Sequence, residues 1–328
     1  MKPKVGVLIH TPLRKQLFHE NAWKRLHEIT DVVDHDVEHP VLAPEAAKQL
    51  ADCDIAIGSW GSAAPSEEIL SAAPRLKLWE HVAGSVKHFG WPALASRNIT
   101  VGSCKGAIAE CVAQFVLGEI IVGLRQLWPN AVANRKGITG FPAGMKVLTS
   151  SRIAVIGASE VGRLVIEKLR PFGCEIDLYD PFISAEAAKA LGVRLVADLV
   201  EICREHDVVT LHTPPLPSTQ KILGAKHFQA MRDDTIFLNT SRGECIDEAA
   251  LIAELEKGRL FVFLDVSSPE PAAADSPLRR LPNVVYSSHI AGPASYLIGQ
   301  QAVSDIEAFV RGESPRYVIT KDMLDRIA

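Results

Sequence analysis

Short apolar runs alternate with helical patterns along nearly the whole chain, and they do so in two successive series. In the first, residues 4–10, 31–37, 54–58, 76–81 and 99–103 read as strands. Helical stretches at 15–29, 44–51, 66–72 and 86–97 separate them. In the second, strands at 152–157, 174–179, 208–212, 235–239, 260–265 and 284–287 accompany helices at 161–171, 184–191, 197–205, 248–257 and 294–311. Alternation of this kind predicts parallel sheets covered by helices on both faces. At roughly 150 residues per domain, a chain of 328 residues accommodates two such domains. A hydrophobic fraction of 47% is enough for two cores without disulfide or metal staples. The seam is expected along a long helix at 108–135 and the loop 137–144, which contains Gly and Pro. The last helix, after Gly292, has no strand series of its own. Periodicity leaves open whether it returns to the first domain and makes that domain discontinuous.

Thirty-five Lys and Arg against 39 Asp and Glu give a net charge of −4, no electrostatic footprint for nucleic acid or an anionic membrane. Six cysteines are scattered without a CxxC, which reads as reduced thiols in a cytosolic protein. The N-terminus runs into a strand pattern without a signal-peptide n-region or cleavage site. The most apolar window, 109–127, is interrupted by Glu110, Gln114, Glu119, Arg125 and Gln126. It is too polar for a membrane span and is expected to be a buried helix of a soluble protein. His35 and His39 beside Asp34, Asp36 and Glu38 suggest a solvated strand rather than a metal site. Cys104 stands at a strand end but has no His or acid paired with it by motif, so it is not expected to be a nucleophile. Arg279 and Arg280 make no basic patch.

The clearest local signal is Gly157-Ala158-Ser159-Glu160-Val161-Gly162, between a strand and a helix start. This arrangement seats a pyrophosphate on a helix N-terminus, where backbone N–H groups converge. Asp180 follows Gly162 by 18 residues, at the end of the next strand, where a carboxylate accepts hydrogen bonds from a ribose. Pro181 and Phe182 supply no cation for a 2′-phosphate, so NAD is favoured over NADP. Ser159 occupies the position of the second glycine, where a Cβ either holds the cofactor back or its hydroxyl compensates. Taken alone, the turn also fits another nucleotide or S-adenosylmethionine.

Three further segments stand at the C-terminal ends of second-half strands, the edge on which open α/β sheets bind ligands. They carry Arg242, the pair Asp265 and Glu270, and His289. Reduction of a 2-oxo acid needs hydride at C2 and a proton for the developing alkoxide. His289 can supply that proton near neutral pH. A neighbouring carboxylate favours the charged imidazole, the role assigned to Glu270. Arg242 offers a planar fork for the substrate carboxylate and the keto oxygen.

These motifs resemble the D-isomer-specific 2-hydroxyacid dehydrogenases, the family of phosphoglycerate, glycerate, formate and D-lactate dehydrogenases. The resemblance covers essentially the whole chain. The glycine turn with Tyr179-Asp180-Pro181, residues 212–219, 239–251 and 265–271, and His289–Gly292 match in order and spacing. It implies two Rossmann-like or flavodoxin-like parallel-sheet domains with a cleft between them. Residues 1–103 and 296–328 would form a discontinuous substrate domain, and 104–295 the NAD-binding domain. It makes Arg242, Glu270 and His289 the catalytic trio. Gly157, Ser159, Glu160, Val161, Gly162, Asp180, His212, Thr213, Pro214, Thr240, Ser241, Asp265 and Gly292 would line the NAD site with Arg242 and His289, Asp265 lying near the nicotinamide amide. Val82-Ala83-Gly84-Ser85 resembles the loop whose N–H groups bind the substrate carboxylate, and Ala109-Glu110 the start of the family's long helix. A homodimer built through the cofactor domain is also implied. The loop lacks the Gly-Val-Asp run common in the family, a change that backbone donors survive. Trp60, Gly61, His81, Lys105 and Tyr296 are candidates for the substrate's far side and follow no subfamily pattern. An NAD-sensing corepressor on the same fold is the alternative from another class.

Overall fold

The computed structural model describes residues 2–34, 36–142, 144–293 and 295–324. The chain divides into two compact units, residues 1–108 with 292–328, and residues 109–291. The dividing points fall inside the first turn of a long helix and at Gly292, later than residue 103 and earlier than residue 296.

Unit 1 holds strands β1 (Lys4–Val7), β2 (Asp31–Asp34), β3 (Ile55–Gly58), β4 (Leu78–His81) and β5 (Thr100–Ser103). They are parallel, in the order 2-1-3-4-5, the flavodoxin-like winding. Unit 2 holds β6 (Arg152–Ile156), β7 (Glu175–Tyr179), β8 (Arg194–Leu195), β9 (Val208–Leu211), β10 (Ile236–Asn239), β11 (Phe261–Leu264) and β12 (Val284–Tyr286). Their order, β8-β7-β6-β9-β10-β11-β12, reverses direction at β6, as in dinucleotide-binding sheets. A short strand β13 (Val318–Ile319) returns antiparallel to β5 at the edge of the first sheet. The central strands β3, β4, β9 and β10 are buried throughout, because both faces are covered and continuous apolar runs are stable only there.

The helix Tyr296–Val310 belongs to unit 1. Its Ile298, Ala302, Val303 and Ile306 share one core with Val5, Val7, Leu26 and Ile55. Gly299 permits this approach, since a Cβ there would lie 2.3 Å from the Leu17 carbonyl oxygen.

Three helices differ from the periodicity. The stretch at 15–29 is two helices, Thr11–Leu17 and Glu20–Ile29, the second capped by the His19 ring on the Asn21 N–H. Of 86–97, only Trp91–Ser96 is helical, opened by Pro92, which leaves residues 82–90 as irregular loop. The long helix breaks at Gln126, whose φ of 48° is left-handed, into Lys105–Leu124 and Leu127–Arg135. The break puts Arg125 and Gln126 past its end, and Lys105–Leu124 is long and apolar enough to cross a membrane by length and composition. The expectation that this window is too polar is corrected accordingly. The same helix lies on unit 2's sheet, where a Cβ at Gly123 would approach Phe263 and Ile236 to 3.0 and 3.1 Å.

Candidate active site

The phosphate turn follows β6 at the point where the strand order reverses. Gly157 has a φ of 101°, and a Cβ there would lie 2.9 Å from the His212 carbonyl oxygen. At Gly162 a Cβ would lie 2.0 Å from the Gly157 oxygen, so that helix and turn touch only through glycine. Ser159 has an ordinary φ of −62° and caps the helix Glu160–Leu169, its Oγ accepting from the Gly162 N–H at 3.3 Å. The hydroxyl thus turns inward onto the helix. The Asp180 carboxylate is fixed to the same turn, accepting from the N–H groups of Ala158 (2.7 Å) and Phe182 (2.8 Å). Each of its oxygens retains a lone pair for a ribose hydroxyl.

The strand ends beside the turn supply further polar groups. The Thr213 and Thr240 hydroxyls, after β9 and β10, are buried without a partner among the described residues, as expected of groups that a bound molecule satisfies. Pro214 turns its carbonyl onto the Thr219 hydroxyl (2.5 Å). The His212 ring is buried below the turn against Thr210 Oγ1 (2.9 Å), and burial pushes its pKa down to about 3. It therefore supports the turn through packing and backbone as a neutral imidazole. Asn239 builds the next turn, its Oδ1 accepting from the Ser241 N–H and hydroxyl and its Nδ2 donating to the Arg242 carbonyl. The Arg242 guanidinium donates to the Ser241 carbonyl at 2.6 Å, and no carboxylate pairs with it among the described residues.

The loops after β10 and β11 meet at Gly243, where a Cβ would lie 2.1 Å from the Ser267 carbonyl. On the second loop, Glu270 Oε1 lies 2.6 Å from His289 Nδ1. A carboxylate accepts only, so Nδ1 carries the proton and Nε2 is the atom available to a substrate. His289 itself has a left-handed φ of 57°. Its loop is held by Asp265, whose Oδ1 accepts from Ser287 Oγ (2.6 Å) and the Ile290 N–H (2.8 Å), and whose Oδ2 accepts from the Ala291 N–H (2.9 Å). The Asp265 carbonyl takes the His289 N–H at 2.9 Å. Gly292 is the residue at which the chain leaves unit 2.

In unit 1, the loop after β4 turns its carbonyls inward. Ser59 Oγ donates to the Val82 oxygen (2.7 Å), and Ser103 Oγ lies 3.2 and 3.1 Å from those of Ala83 and Gly84. The N–H groups of Ala83, Gly84 and Ser85 have no acceptor among the described residues. His81 precedes this loop, buried, with Nδ1 unpartnered among the described residues; burial and the His88 charge push its pKa down to about 3. Of the other far-side candidates, Trp60 is partly exposed, Gly61 has a φ of 77°, Lys105 lies 5.4 Å from the Tyr317 ring, and Tyr296 meets His19 edge-on. Cys104 is buried, and burial together with Glu80 holds its thiol well above the usual range, against any nucleophilic use. His35 lies outside the described residues; among those, no group of three His, Cys, Asp or Glu could hold a metal ion.

The glycine turn, the strapped acid and the carboxylate–imidazole pair occupy one edge of one sheet. A family model described as D-isomer specific 2-hydroxyacid dehydrogenase, NAD binding domain, matches residues 125–291. The chain belongs to this family. Unit 2 is the NAD-binding domain of the D-2-hydroxyacid dehydrogenases, and the residues just described fit the dinucleotide. A D-3-phosphoglycerate dehydrogenase of Methanocaldococcus jannaschii is 29% identical over 96% of this chain and 59% of that protein. A second one, from Archaeoglobus fulgidus, is 30% identical over 75% of this chain and 47% of its own length. The chain therefore spans only about half the length of these two relatives. A glyoxylate reductase of Korarchaeum cryptofilum is 26% identical over 99% of this chain and 98% of that protein. The apo structure of Rhodotorula graminis D-mandelate dehydrogenase shares the fold, with a TM-score of 0.79 at 21% identity over 98% of each chain.

Two features of the structure were not among the sequence candidates. Tyr286 binds the Glu270 loop, and Glu119 lies half-buried in the long helix near Asp265. An acid inside an apolar helical window was the available signal for Glu119. Nothing local marks Tyr286.

Proposed function

We propose that this protein interconverts a 2-oxo acid and the corresponding D-2-hydroxy acid with NAD(H). The observation that carries the reading is the 2.6 Å contact between Glu270 and His289, on a loop fixed by Asp265 at the cofactor edge of the sheet. Bound NADH supplies the hydride to C2. His289 donates the Nε2 proton to the oxygen of the reduced carbonyl, and Glu270 stabilises the imidazolium before that transfer. In the reverse direction His289 accepts the hydroxyl proton. Arg242, without a carboxylate partner among the described residues, polarises the keto oxygen and pairs with the substrate carboxylate. Within unit 1, the N–H groups of Ala83, Gly84 and Ser85 are the proposed carboxylate-binding element. Asp180 selects the unphosphorylated ribose, because a 2′-phosphate would meet its charge.

NADH consumption against a panel of 2-oxo acids, with His289→Ala alongside, tests the reading. The panel includes glyoxylate, hydroxypyruvate, pyruvate, oxaloacetate, and branched and aromatic 2-oxo acids. Turnover lost in the variant with NADH binding within a few-fold supports it. Undiminished turnover in His289→Ala overturns it.

The same reading includes a homodimer formed through unit 2. The helix Leu127–Arg135 buries none of its residues, and Leu127, Trp128, Ile138 and Phe141 are exposed along this segment. An apolar patch of this kind is covered in a stable protein by a partner. Sedimentation equilibrium of the wild type and of Trp128→Glu distinguishes dimer from monomer.

A further inference from the structure

We infer that Tyr286 is a positioning residue for the general acid, one that sets the Glu270 carboxylate against His289 through the loop between Ser267 and Ala272. The inference rests on the reaction proposed above for the trio.

Tyr286 is the last residue of β12, three residues before His289. Its phenol oxygen lies 3.0 Å from Ser267 Oγ and 3.1 Å from the Ala272 nitrogen. Ser267 Oγ in turn donates to the Pro269 carbonyl at 2.8 Å. The hydrogens in this chain are fixed by counting. Ser267 has one proton, and it goes to Pro269. Tyr286 must then donate to Ser267 Oγ, while its oxygen accepts from the Ala272 N–H. The result is a continuous relay, Ala272 N–H to Tyr286 O–H to Ser267 O–H to the Pro269 carbonyl. It gathers both flanks of Glu270 onto one oxygen atom.

Other groups complete the clamp. Glu248 Oε2 accepts from the Ser268 N–H at 2.9 Å. The Arg279 guanidinium lies 5.4 Å from the Tyr286 ring centre and donates to the carbonyls of Ala272 (2.7 Å) and Ala273 (3.0 Å). Glu270 is thus presented from a loop tied at both ends to the strand that leads into His289. The partners of a 2.6 Å contact are registered by a single side chain. Polar networks in which each member has one partner for each proton specify a unique geometry, and removal of one member frees the rest.

Tyr286→Phe keeps the ring and removes only the oxygen. The expected result is a fall in kcat of about 10- to 100-fold, the scale of a displaced catalytic group. KM for NADH and NADH affinity stay within about twofold of wild type, since no part of the clamp touches the glycine turn. Ser267→Ala opens the same relay one atom further on and gives the same split. In a Glu270→Gln background, Tyr286→Phe has no further effect, because the residue acts through Glu270. A second readout needs no turnover. The His289 Nδ1 proton, assigned as the low-field resonance lost in Glu270→Gln, shifts or is lost to exchange in Tyr286→Phe while thermal unfolding shows an intact fold. Unchanged kcat with an unchanged resonance overturns the inference, as does a Tyr286→Phe effect that adds fully to that of Glu270→Gln. Absence of turnover in the wild type overturns the proposed reaction, and the proton resonance then decides the role of Tyr286 alone.

Discussion

The Asp265 carboxylate holds the backbone on which His289 rides. Its two oxygens accept from Ser287, Ile290 and Ala291, on both sides of the histidine, and its carbonyl takes the histidine's own N–H. The resemblance places this aspartate near the nicotinamide amide. In the structure its side chain holds the loop, and its Oδ2, with one donor, retains a lone pair. His289 is in a left-handed conformation that a non-glycine residue keeps only when its surroundings enforce it.

Asp265→Asn is therefore expected to damage catalysis more than cofactor binding. The amide retains one acceptor oxygen, and its NH2 faces an N–H donor that it cannot satisfy. Turnover should fall about 10- to 100-fold with NADH affinity reduced far less. Steady-state kinetics and NADH fluorescence titration separate the two. An equal loss in both would assign Asp265 to the cofactor instead.

The phosphate turn gives opposite expectations at two positions. Gly162→Ala places a Cβ 2.0 Å from the Gly157 oxygen, a backbone atom that cannot yield, so NADH binding should be lost with the turn. Ser159 already serves as a helix cap at an ordinary φ. Ser159→Ala should cost about 1 kcal/mol of stability through the lost cap, and Ser159→Gly only a few tenths, still leaving NADH bound. Thermal unfolding with and without NADH checks all three. A Ser159→Gly variant that no longer binds NADH would give the hydroxyl a direct cofactor contact.

Local pattern made much of this legible. Runs such as 208–212 and 235–239 announce parallel strands because strands covered on both faces are apolar throughout. The glycine turn and the Glu270–His289 pair stand at strand ends, where the fold concentrates chemistry. What escaped the sequence depends on contacts far along the chain. The break at Gln126 is set by one left-handed residue inside a continuous helical pattern. β13 has two residues and exists because β5 offers an edge. Tyr286 matters through Ser267 and Ala272, and no spacing rule connects a strand-end tyrosine to a loop 14 to 19 residues earlier. The inward serines Ser59 and Ser103, which hold the carbonyls of residues 82–84, are equally unmarked.

Glu119 makes the stability of unit 2 depend on pH between about 4.5 and 8. It lies one turn before Gly123, on the helix face that meets Phe263 and Ile236, with Oε2 buried and unpartnered among the described residues. Burial, and then the Asp265 charge, push its pKa up to about 8 from an ordinary 4.5. Because the folded value is raised, the folded state holds a proton that the unfolded chain releases. Stability is full below pH 4.5 and declines as pH rises to about 8. Glu119→Gln is neutral at every pH and lacks this decline. Its unfolding free energy should gain on the wild type from pH 5 to pH 8, by on the order of several kcal/mol, and then level off. In Asp265→Asn the gap should shrink. A constant gap across that range would show that Glu119 is already ionised in the fold.

The acid side works with the opposite sign. His81 and His212 are both buried, and burial lowers each to about 3 from an ordinary 6.5. The unfolded chain then takes up protons that the folded chain refuses. Their contribution is fully present above pH 6.5 and is lost as pH falls toward 3, at about 1.4 kcal/mol per pH unit for each imidazole. Loss of stability should therefore begin near pH 6.5, before the carboxylates protonate. His212→Gln removes one of the two buried imidazoles and should lower the slope of stability against pH between 6 and 4 by about 1.4 kcal/mol per pH unit, whatever it costs at neutral pH. Urea unfolding at a series of pH values gives that slope directly. An unaltered slope would mean that His212 is protonated in the folded state, with a counter-charge that its contact with Thr210 does not supply.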